Sequence, residues 1–397
     1  MQKLKTPSLT EVTDEDFQVS CLEACKILQH PAYVIDQDRL QNNCQRLKNF
    51  EEKTGAKILL ALKAFSNPNS LALISSYLSG ATASSKNEMT LAKKYFNDVH
   101  VYSLILKEID LNTYFDNASH LVMNSMVQYQ KFLEIEDSYK KSPSIGVRVN
   151  PNYAEVDVEM YNPCKKNSRF GLQRHECESL DWSKIEGIHF HALCEQNADV
   201  LERVLQIFEQ QYGSFLKHCK WLNLGGGHLL NSKGYDLDLC EKLISSLQNK
   251  YEVEIFLEPG EAVVSNTTYV VATVQDIIYR DVPIVILDVS ASAHMPDVLE
   301  MPYRPYIYGS KPEGSAFFTY EICGCTCLSG DIMGRYSFEA PIKIGDQLVF
   351  GDMGQYTMVK NTFFNGIEMP AICHYSQAKG LEVQRQFTHQ DYESRLG

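Results

Sequence analysis

Eight short apolar runs follow one another between residues 58 and 258, and each ends at polar or glycine residues. The first run, residues 58–62, ends at Lys63, and the others end near Ser84, Ser103, Asn124, Asn150, His191, Gly225 and Glu258. Helix-patterned sequence follows most of the runs. Eight strands alternating with helices predict an α/β fold, a (β/α)8 TIM barrel with reactive groups at the carboxyl ends of its strands.

The hydrophobic period changes after the eighth run. Residues 31–36 predict a strand before the barrel, and residues 38–53 a helix. From Tyr269 onward the pattern is of short β runs, at 269–278, 284–289, 348–350 and 357–362, separated by turn residues. We expect a barrel over 38–275 and a second domain built from 1–37 and 276–397. That domain would be a C-terminal β-barrel or sandwich completed by the N-terminal strand.

Composition narrows the class of protein. The chain has 397 residues, of which 44% are apolar, and a formal net charge of -13. Two domains are the default at this length. The charge argues against general nucleic-acid binding. The absence of an apolar run of about 18 residues argues against a membrane span. An N-terminus with no apolar segment after its basic residues predicts a cytoplasmic protein.

The twelve cysteines are expected to be reduced thiols. The one dense group, Cys323, Cys325 and Cys327, has C-x-C-x-C spacing rather than the C-x-x-C of common zinc sites. The sequence therefore predicts no metal.

Three strand ends carry candidate chemistry. Lys63 ends an apolar strand, where a desolvated lysine can serve as a Schiff-base nucleophile or can simply be a solvated strand end. Gly225, Gly226 and Gly227 would let backbone amides approach a phosphate, or would form only a turn. Glu258 could pair with a protonated pyridine nitrogen or accept local amide hydrogen bonds.

Two further strand positions face the same barrel. His189 and His191 alternate with apolar residues, so both point inward and His191 could stack on a flat cofactor ring. Arg148, between two valines, could support that stack or form a structural salt bridge. Together with Lys63, the glycines and Glu258, these residues suit an aldehyde-bearing phosphate cofactor.

Six motifs in order carry a family resemblance. They are ALKA at 61–64, HALC at 191–194, GGG at 225–227, EPGE at 258–261, CLSGD at 327–331 and GQYT at 354–357. The chain resembles, over about residues 30–370, the pyridoxal-phosphate decarboxylases with the alanine-racemase-like fold. The ornithine, arginine, diaminopimelate and carboxynorspermidine decarboxylases form this group.

The resemblance implies pyridoxal 5'-phosphate held covalently by Lys63 and stacked on His191. It implies phosphate contacts from Gly225 to Gly227 and Tyr356, and a pyridine-nitrogen partner in Glu258. It also implies a head-to-tail homodimer in which Cys327 is the acid near Cα of the substrate in the partner's site.

Subfamily features point toward the carboxynorspermidine decarboxylases, which share LLALKAFS at 59–66, MYNPC at 160–164, LCEQ at 193–196 and AHMPDVLEMPYRP at 293–305. Diaminopimelate decarboxylases have arginine where this chain has Glu261 and glutamate where it has Leu328. Asp297 and Glu300 are candidates to bind substrate amines, with Asp331 and Arg304 as further substrate contacts. Asp297 and Glu300 could equally be surface acids, and Arg304 could brace an interface.

The resemblance therefore implies decarboxylation of carboxynorspermidine or carboxyspermidine, a polyamine-like amino acid. One alternative is a diaminopimelate or other basic amino-acid decarboxylase. Another is an amino-acid racemase, which would need a second base where Cys327 stands. A third is a cofactor-binding homeostasis protein, which would lack the β domain.

Overall fold

The structure is a computed structural model that describes residues 12–138, 142–156, 158–301 and 303–397. The chain divides into two compact units. The first contains the chain up to Asn42 together with Val264–Gly397, and the second is Asn43–Val263. In chain order the first elements are a 3-10 turn, two helices and a strand: Asp14–Asp16, α1 (Val19–Cys25), β1 (Ala32–Asp36) and α2 (Gln37–Thr54).

The second unit is a closed barrel of eight parallel strands, which confirms the predicted (β/α)8 fold. Its strands are β2 (Lys57–Ala61), β3 (Gly80–Ala83), β4 (Asp98–Tyr102), β5 (His120–Met123), β6 (Ser144–Arg148), β7 (Gly187–His189), β8 (Trp221–Asn223) and β9 (Glu254–Leu257).

Helices or turns follow each barrel strand. They are α3 (Pro68–Ile74), α4 (Lys86–Ala92), α5 (Glu108–Asn117), α6 (Met126–Ile135), α7 (Arg174–Cys177), α8 (Ala198–Leu216), α9 (Leu237–Tyr251) and α10 (Glu261–Val264), with 3-10 turns at Glu136–Ser138 and Glu159–Tyr161.

Side chains at the loop ends determine where several of these helices begin. The side chains of Asn67, Ser85, Ser125 and Asp236 each accept a hydrogen bond from a backbone N–H in the first turn of the helix that follows. Such caps satisfy amides that have no partner within the helix. Each loop thus ends at a defined residue, which limits how far the strand-end side chains can move.

A tryptophan fills the interior of the barrel. Trp221 is 2% exposed and packs with Leu59, Val122 and Phe256. A Cβ at Gly187 would lie 1.9 Å from the indole, and one at Gly146 would lie 2.2 Å from it. These two glycines leave room for the large ring, since a barrel interior must be filled by side chains.

The first unit contains a mixed sheet of eight strands, built on β1. The remaining strands are β10 (Thr268–Ile278), β11 (Ile284–Leu287), β12 (Phe318–Cys323), β13 (Ile332–Phe338), β14 (Gln347–Phe350), β15 (Ala371–Ser376) and β16 (Gly380–Arg385). The other helices are α11 (Ala291–His294), α12 (Asp297–Glu300) and α13 (His389–Leu396), with 3-10 turns at Met358–Lys360 and Phe364–Gly366.

The N-terminal strand is an internal strand of this sheet, as predicted. Val34 on β1 pairs antiparallel with Tyr269 on β10 and parallel with Cys373 on β15. The strand order is β13-β12-β11-β10-β1-β15-β16, and β14 also pairs with β10. Because β1 hydrogen bonds on both edges, the sheet needs both ends of the chain.

Two expectations need correction. The expected barrel end at residue 275 is too late, because β10 belongs to the sheet and the division falls after Val263. The expected strand at 357–362 is instead a 3-10 turn, Met358–Lys360. No strand pairing involves this segment in the part of the chain that the structure describes. Among the described residues, no helix is both long and apolar enough to cross a membrane.

Replacing Gly187 by alanine should lower the free energy of unfolding by about 1–3 kcal/mol, because the added methyl overlaps Trp221. Gly330→Ala is the matched control, since a Cβ there would meet nothing within 4 Å. Urea denaturation monitored by tryptophan fluorescence measures both variants. Equal midpoints for Gly187→Ala and the unmodified protein would contradict this account of the barrel interior.

Candidate active site

Lys63 lies in a turn two residues beyond the end of β2. The N–H of Ala64 donates to the carbonyl of Ala61, which closes the turn, and a Cβ at Gly260 would lie 2.4 Å from that of Ala64. The Lys63 side chain is exposed. Reduced hydration and then the positive charge of Arg148 lower the pKa of Lys63, while Glu258 opposes the shift. A lowered pKa favours the neutral, nucleophilic amine.

Glu258 lies directly after β9 and is held as an anion. Its Oε1 accepts a hydrogen bond of 2.8 Å from Asn223 Nδ2, and its Oε2 lies 3.6 Å from His189 Nε2. Burial alone would raise the pKa of Glu258, but the electrostatic effect of His189 and the Asn223 hydrogen bond lower it below its usual range. Burial lowers the pKa of His189. The result is a carboxylate available to a cationic partner.

His191 and the glycine loop are in direct contact. The Gly226 N–H donates to His191 Nδ1 at 2.9 Å, and the Gly225 N–H donates to Asn223 Oδ1 at 2.9 Å. Burial, then the charges of Lys63 and Arg148, keep the pKa of His191 well below its usual value. Gly225 and Gly227 have φ of 72° and 86°, a conformation that favours glycine. His191 is thus a neutral, oriented ring beside the loop.

Arg148 is the last residue of β6 and is 5% exposed. Its guanidinium lies 4.6 Å from the ring centroid of Tyr102 and 4.7 Å from that of Phe170. The residue therefore faces the barrel interior in an aromatic setting, and no carboxylate among the described residues forms a salt bridge with it.

In the sheet unit, Asp331 organises the loop that carries Cys327. Asp331 Oδ2 accepts from the Thr326 hydroxyl at 2.6 Å and the Thr326 N–H at 3.1 Å, and Oδ1 accepts from the Ser292 N–H at 3.1 Å. Asp331 is 3% exposed. Cys327 is exposed, and its N–H donates to Asn365 Oδ1 at 2.7 Å. These contacts favour a structural role for Asp331 over the predicted substrate contact.

Asp297 and Glu300 converge on one ammonium group. Lys360 Nζ lies 2.6 Å from Asp297 Oδ1 and 2.6 Å from Glu300 Oε2. Burial raises the pKa of Asp297, and Lys360 opposes that shift. The two acids, one turn apart on α12, thus form a pair that binds an alkylammonium, here from the protein itself.

The last two predicted residues, Tyr356 and Arg304, also lie in the sheet unit. Tyr356 is half-buried with φ of 49°, and Lys360 Nζ lies 5.4 Å from its ring centroid. Arg304 lies 4.8 Å from the ring centroid of Tyr336 and donates to the carbonyl of Arg335. Arg304 therefore contacts β13 of its own unit, and its predicted substrate contact stays a prediction.

Two residues with contacts to the predicted site residues, Asn223 and Lys360, were not predicted from the sequence. Asn223 contacts both Glu258 and the Gly225 N–H, and its alternation with Trp221 and Gly225 could have marked it as inward-facing. Lys360 has no signal in the sequence, because its partners lie 60 and 63 positions away.

A parallel barrel with a lysine, a glycine loop, a histidine and a carboxylate beside one end of its strands defines a class of enzymes that use pyridoxal phosphate. The family model for "Pyridoxal-dependent decarboxylase, C-terminal sheet domain" matches residues 32–354. The chain belongs to the pyridoxal-dependent decarboxylases, a family of carboxy-lyases.

Full-length relatives are similar to the whole chain. A carboxynorspermidine/carboxyspermidine decarboxylase of Campylobacter jejuni is 40% identical, covering 93% of this chain and 98% of that one. A carboxyaminopropylagmatine decarboxylase of Synechocystis is 37% identical, covering 96% and 99%. The crystal structure of Campylobacter jejuni carboxynorspermidine decarboxylase complexed with norspermidine has a TM-score of 0.85 and 39% identity, covering 93% of this chain and 100% of that one.

The barrel residues fit pyridoxal phosphate. Among the described residues, neither ring nitrogen of buried His189 has a hydrogen-bond partner, and the neighbouring Glu258 carboxylate is of the type that pairs with a pyridinium. A Cβ at Gly226 would lie 2.5 Å from the carbonyl of Glu258, so the loop approaches closely as only glycine can. Lys63, Glu258 and His191 thus supply the amine, the carboxylate and the flat ring that suit this cofactor.

Replacing Asp331 by alanine should lower the stability of the protein by about 1–3 kcal/mol, because it leaves donors of Thr326 and Ser292 without their acceptor. Urea denaturation tests this, with the exposed Glu339→Ala as control. A raised KM together with unchanged stability would instead indicate that Asp331 binds substrate directly.

Proposed function

We propose that this enzyme decarboxylates carboxynorspermidine and carboxyspermidine and releases norspermidine or spermidine, a step of polyamine biosynthesis. The observation that carries the proposal is the full-length similarity to the Campylobacter jejuni enzyme of that name, at 40% identity. The structure of that species' enzyme with norspermidine has the same fold at 39% identity.

The acid pair supports a polyamine-like substrate. Asp297 and Glu300 already hold the ammonium of Lys360 at 2.6 Å each. A substrate with several amines spaced by methylenes offers ammonium groups of the same chemistry. The net charge of -13 favours the approach of such cations.

Bound pyridoxal phosphate supplies the electron sink for the pair of electrons left at Cα when CO2 departs. In our proposal Lys63 would attach the cofactor, His191 would pack on its ring, and the Gly225–Gly227 loop and Tyr356 would hold its phosphate. The negative charge of Glu258 would keep a proton on the pyridine nitrogen. Arg148 would support His191, and Cys327 would deliver a proton to Cα.

The diaminopimelate alternative has less support. Relatives of that name are 23–26% identical to this chain. Diaminopimelate has a second amino-acid head, for which the diaminopimelate decarboxylases use an arginine and a glutamate at the positions of Glu261 and Leu328. Without that cation and carboxylate, the distal head would be left unpaired.

Carboxyaminopropylagmatine is a second candidate substrate, because the Synechocystis relative is 37% identical over nearly its whole length. It carries a guanidinium in place of a terminal amine. Asp297 and Glu300 could accept hydrogen bonds from either group, since a carboxylate pairs with both.

A substrate panel tests the proposal. We expect kcat/KM for carboxynorspermidine and carboxyspermidine to exceed that for diaminopimelate and ornithine by at least about 10⁴-fold, because amines or carboxylates would be left unpaired in a mismatched site. The two preferred substrates differ by one methylene, so we expect their kcat/KM values to differ by about 10- to 200-fold or less.

CO2 release with mass analysis of the product measures each substrate. Preference for diaminopimelate, or epimerised substrate without CO2, would refute the proposal, and preference for carboxyaminopropylagmatine would assign the second candidate.

We propose further that the enzyme is a cytoplasmic homodimer, with the sheet domain of each subunit contributing Cys327 to the site of its partner. All twelve cysteines are free thiols, as expected in a reducing compartment. Cys327 is exposed on a loop of its own unit, so its thiol is accessible.

Mixing two inactive variants tests both the site and the dimer. Lys63→Ala should lose the visible absorbance of attached cofactor and its activity, because no amine remains to hold the aldehyde. Cys327→Ala should keep the absorbance but lose about 10²- to 10⁴-fold in kcat, the usual loss when a general acid is removed.

After subunit exchange, an equal mixture should recover about a quarter of the normal activity, because half of the dimers then hold one complete site. Cys325→Ala, at the neighbouring exposed cysteine, is the control and should stay active. No recovery in a mixture shown to have exchanged subunits would contradict shared sites, and normal activity of Lys63→Ala would contradict the assignment of the lysine.

A further inference from the structure

Asp98, His100 and His120 form a cluster inside the barrel that the proposed reaction does not use. Asp98 and His100 are two residues apart on β4, so their side chains share the inward face. His100 is the direct neighbour of His120 in the register of β4 and β5. The cluster thus follows from strand alternation and pairing.

The three side chains are close but poorly hydrogen bonded. Asp98 Oδ1 lies 3.4 Å from His100 Nε2 and 3.4 Å from His120 Nδ1. Within the described part of the chain, these three atoms and His100 Nδ1 are buried without a hydrogen-bond partner. His100 is 1% exposed. Buried polar atoms in such number normally have a partner, whether protein, water or ion.

Aromatic rings surround the two imidazoles. The rings of His100 and His120 stack with centroids 3.8 Å apart. Phe256 lies 4.5 Å from His100, and Trp221 lies 5.3 Å from His120. An imidazole binds a metal ion through the lone pair of one ring nitrogen.

We propose that Asp98 Oδ1, His100 Nε2 and His120 Nδ1 bind a divalent transition-metal ion of the zinc class. The three donor atoms lie within 4.8 Å of one another. Metal–ligand bonds of about 2.0–2.1 Å place tetrahedral donors about 3.3 Å apart, close to the two separations of 3.4 Å. Two imidazoles and a carboxylate are a common zinc ligand set, with one position left for water.

The position of this site separates the ion from the proposed decarboxylation chemistry. Asp98 and His120 are the first residues of their strands, whereas Lys63, His191 and Glu258 follow the last residues of theirs. The cluster thus lies toward the opposite end of the barrel from the cofactor residues. The side chains of Asp98 and His120 are 22% and 15% exposed, so an ion can enter past them. The spacing of cysteines along the chain does not bear on this cluster, because the register of β4 and β5 brings its residues together.

Cobalt binding to the untagged, full-length holoenzyme tests the site. After dialysis against a chelator under reducing conditions, titration with Co²⁺ should show one strong site per chain, with a visible d–d absorption and no thiolate-to-cobalt band. Co²⁺ should also raise the melting temperature, because it binds the folded state. Asp98→Asn and His120→Ala should each weaken binding at least about tenfold and remove the thermal shift. The exposed His175→Ala is the control and should bind normally.

Unchanged cobalt affinity in both variants, or no stoichiometric binding to the unmodified protein, would overturn the proposal. Should either variant fail to fold, anomalous diffraction from crystals of the unmodified holoenzyme soaked in Co²⁺ decides, and a peak anywhere but between Asp98 Oδ1 and the two imidazoles refutes the site. Decarboxylation is not the readout, so the proposed function stands or fails separately.

Discussion

Strand alternation inside a closed barrel is the constraint on which the rest of the structure depends. Every second residue of a barrel strand must point inward, and the interior must be filled. The interior therefore holds the Asp98 cluster packed against Trp221 and Phe256, and the carboxyl-terminal positions lead to Lys63, His191 and Glu258. The Trp221 ring fills the space beside Gly146 and Gly187, so neither position has room for a side chain.

Opposing electrostatic effects tune the carboxyl-terminal end. Loss of hydration disfavours any charge, so it lowers the pKa of Lys63 and would raise that of Glu258. At Glu258 the hydrogen bond from Asn223 and the nearby His189 offset the effect of burial, so this carboxylate remains ionised. One environment thus holds a fixed anion and an amine that is easier to deprotonate than usual. A cofactor with a pyridinium and an aldehyde needs both of these groups.

The sheet unit uses its acids in two ways. Asp331 accepts hydrogen bonds from the Ser292 N–H and the Thr326 hydroxyl. These bonds hold the segment that bears Cys327 in place. Asp297 and Glu300 instead share the ammonium of Lys360, which stands at the end of a side chain of four methylenes. Because that ammonium resembles the amine of a polyamine, the pair is chemically suited to substrate recognition, whereas the Asp331 carboxylate is already committed.

The sequence by itself determined the barrel, the sheet completed by the N-terminal strand, and the candidates Lys63, His191, Gly225–Gly227 and Glu258, because period-two patterning and strand-end chemistry are local signals. It did not determine where the barrel ends, since β10 is as apolar as a barrel strand and differs only in its partners, β1, β11 and β14. Nor did it reveal Asn223 as the partner of Glu258, Lys360 between two acids, or the grouping of Asp98, His100 and His120. Those depend on strand register and on contacts between residues distant in the chain, which only the tertiary structure decides.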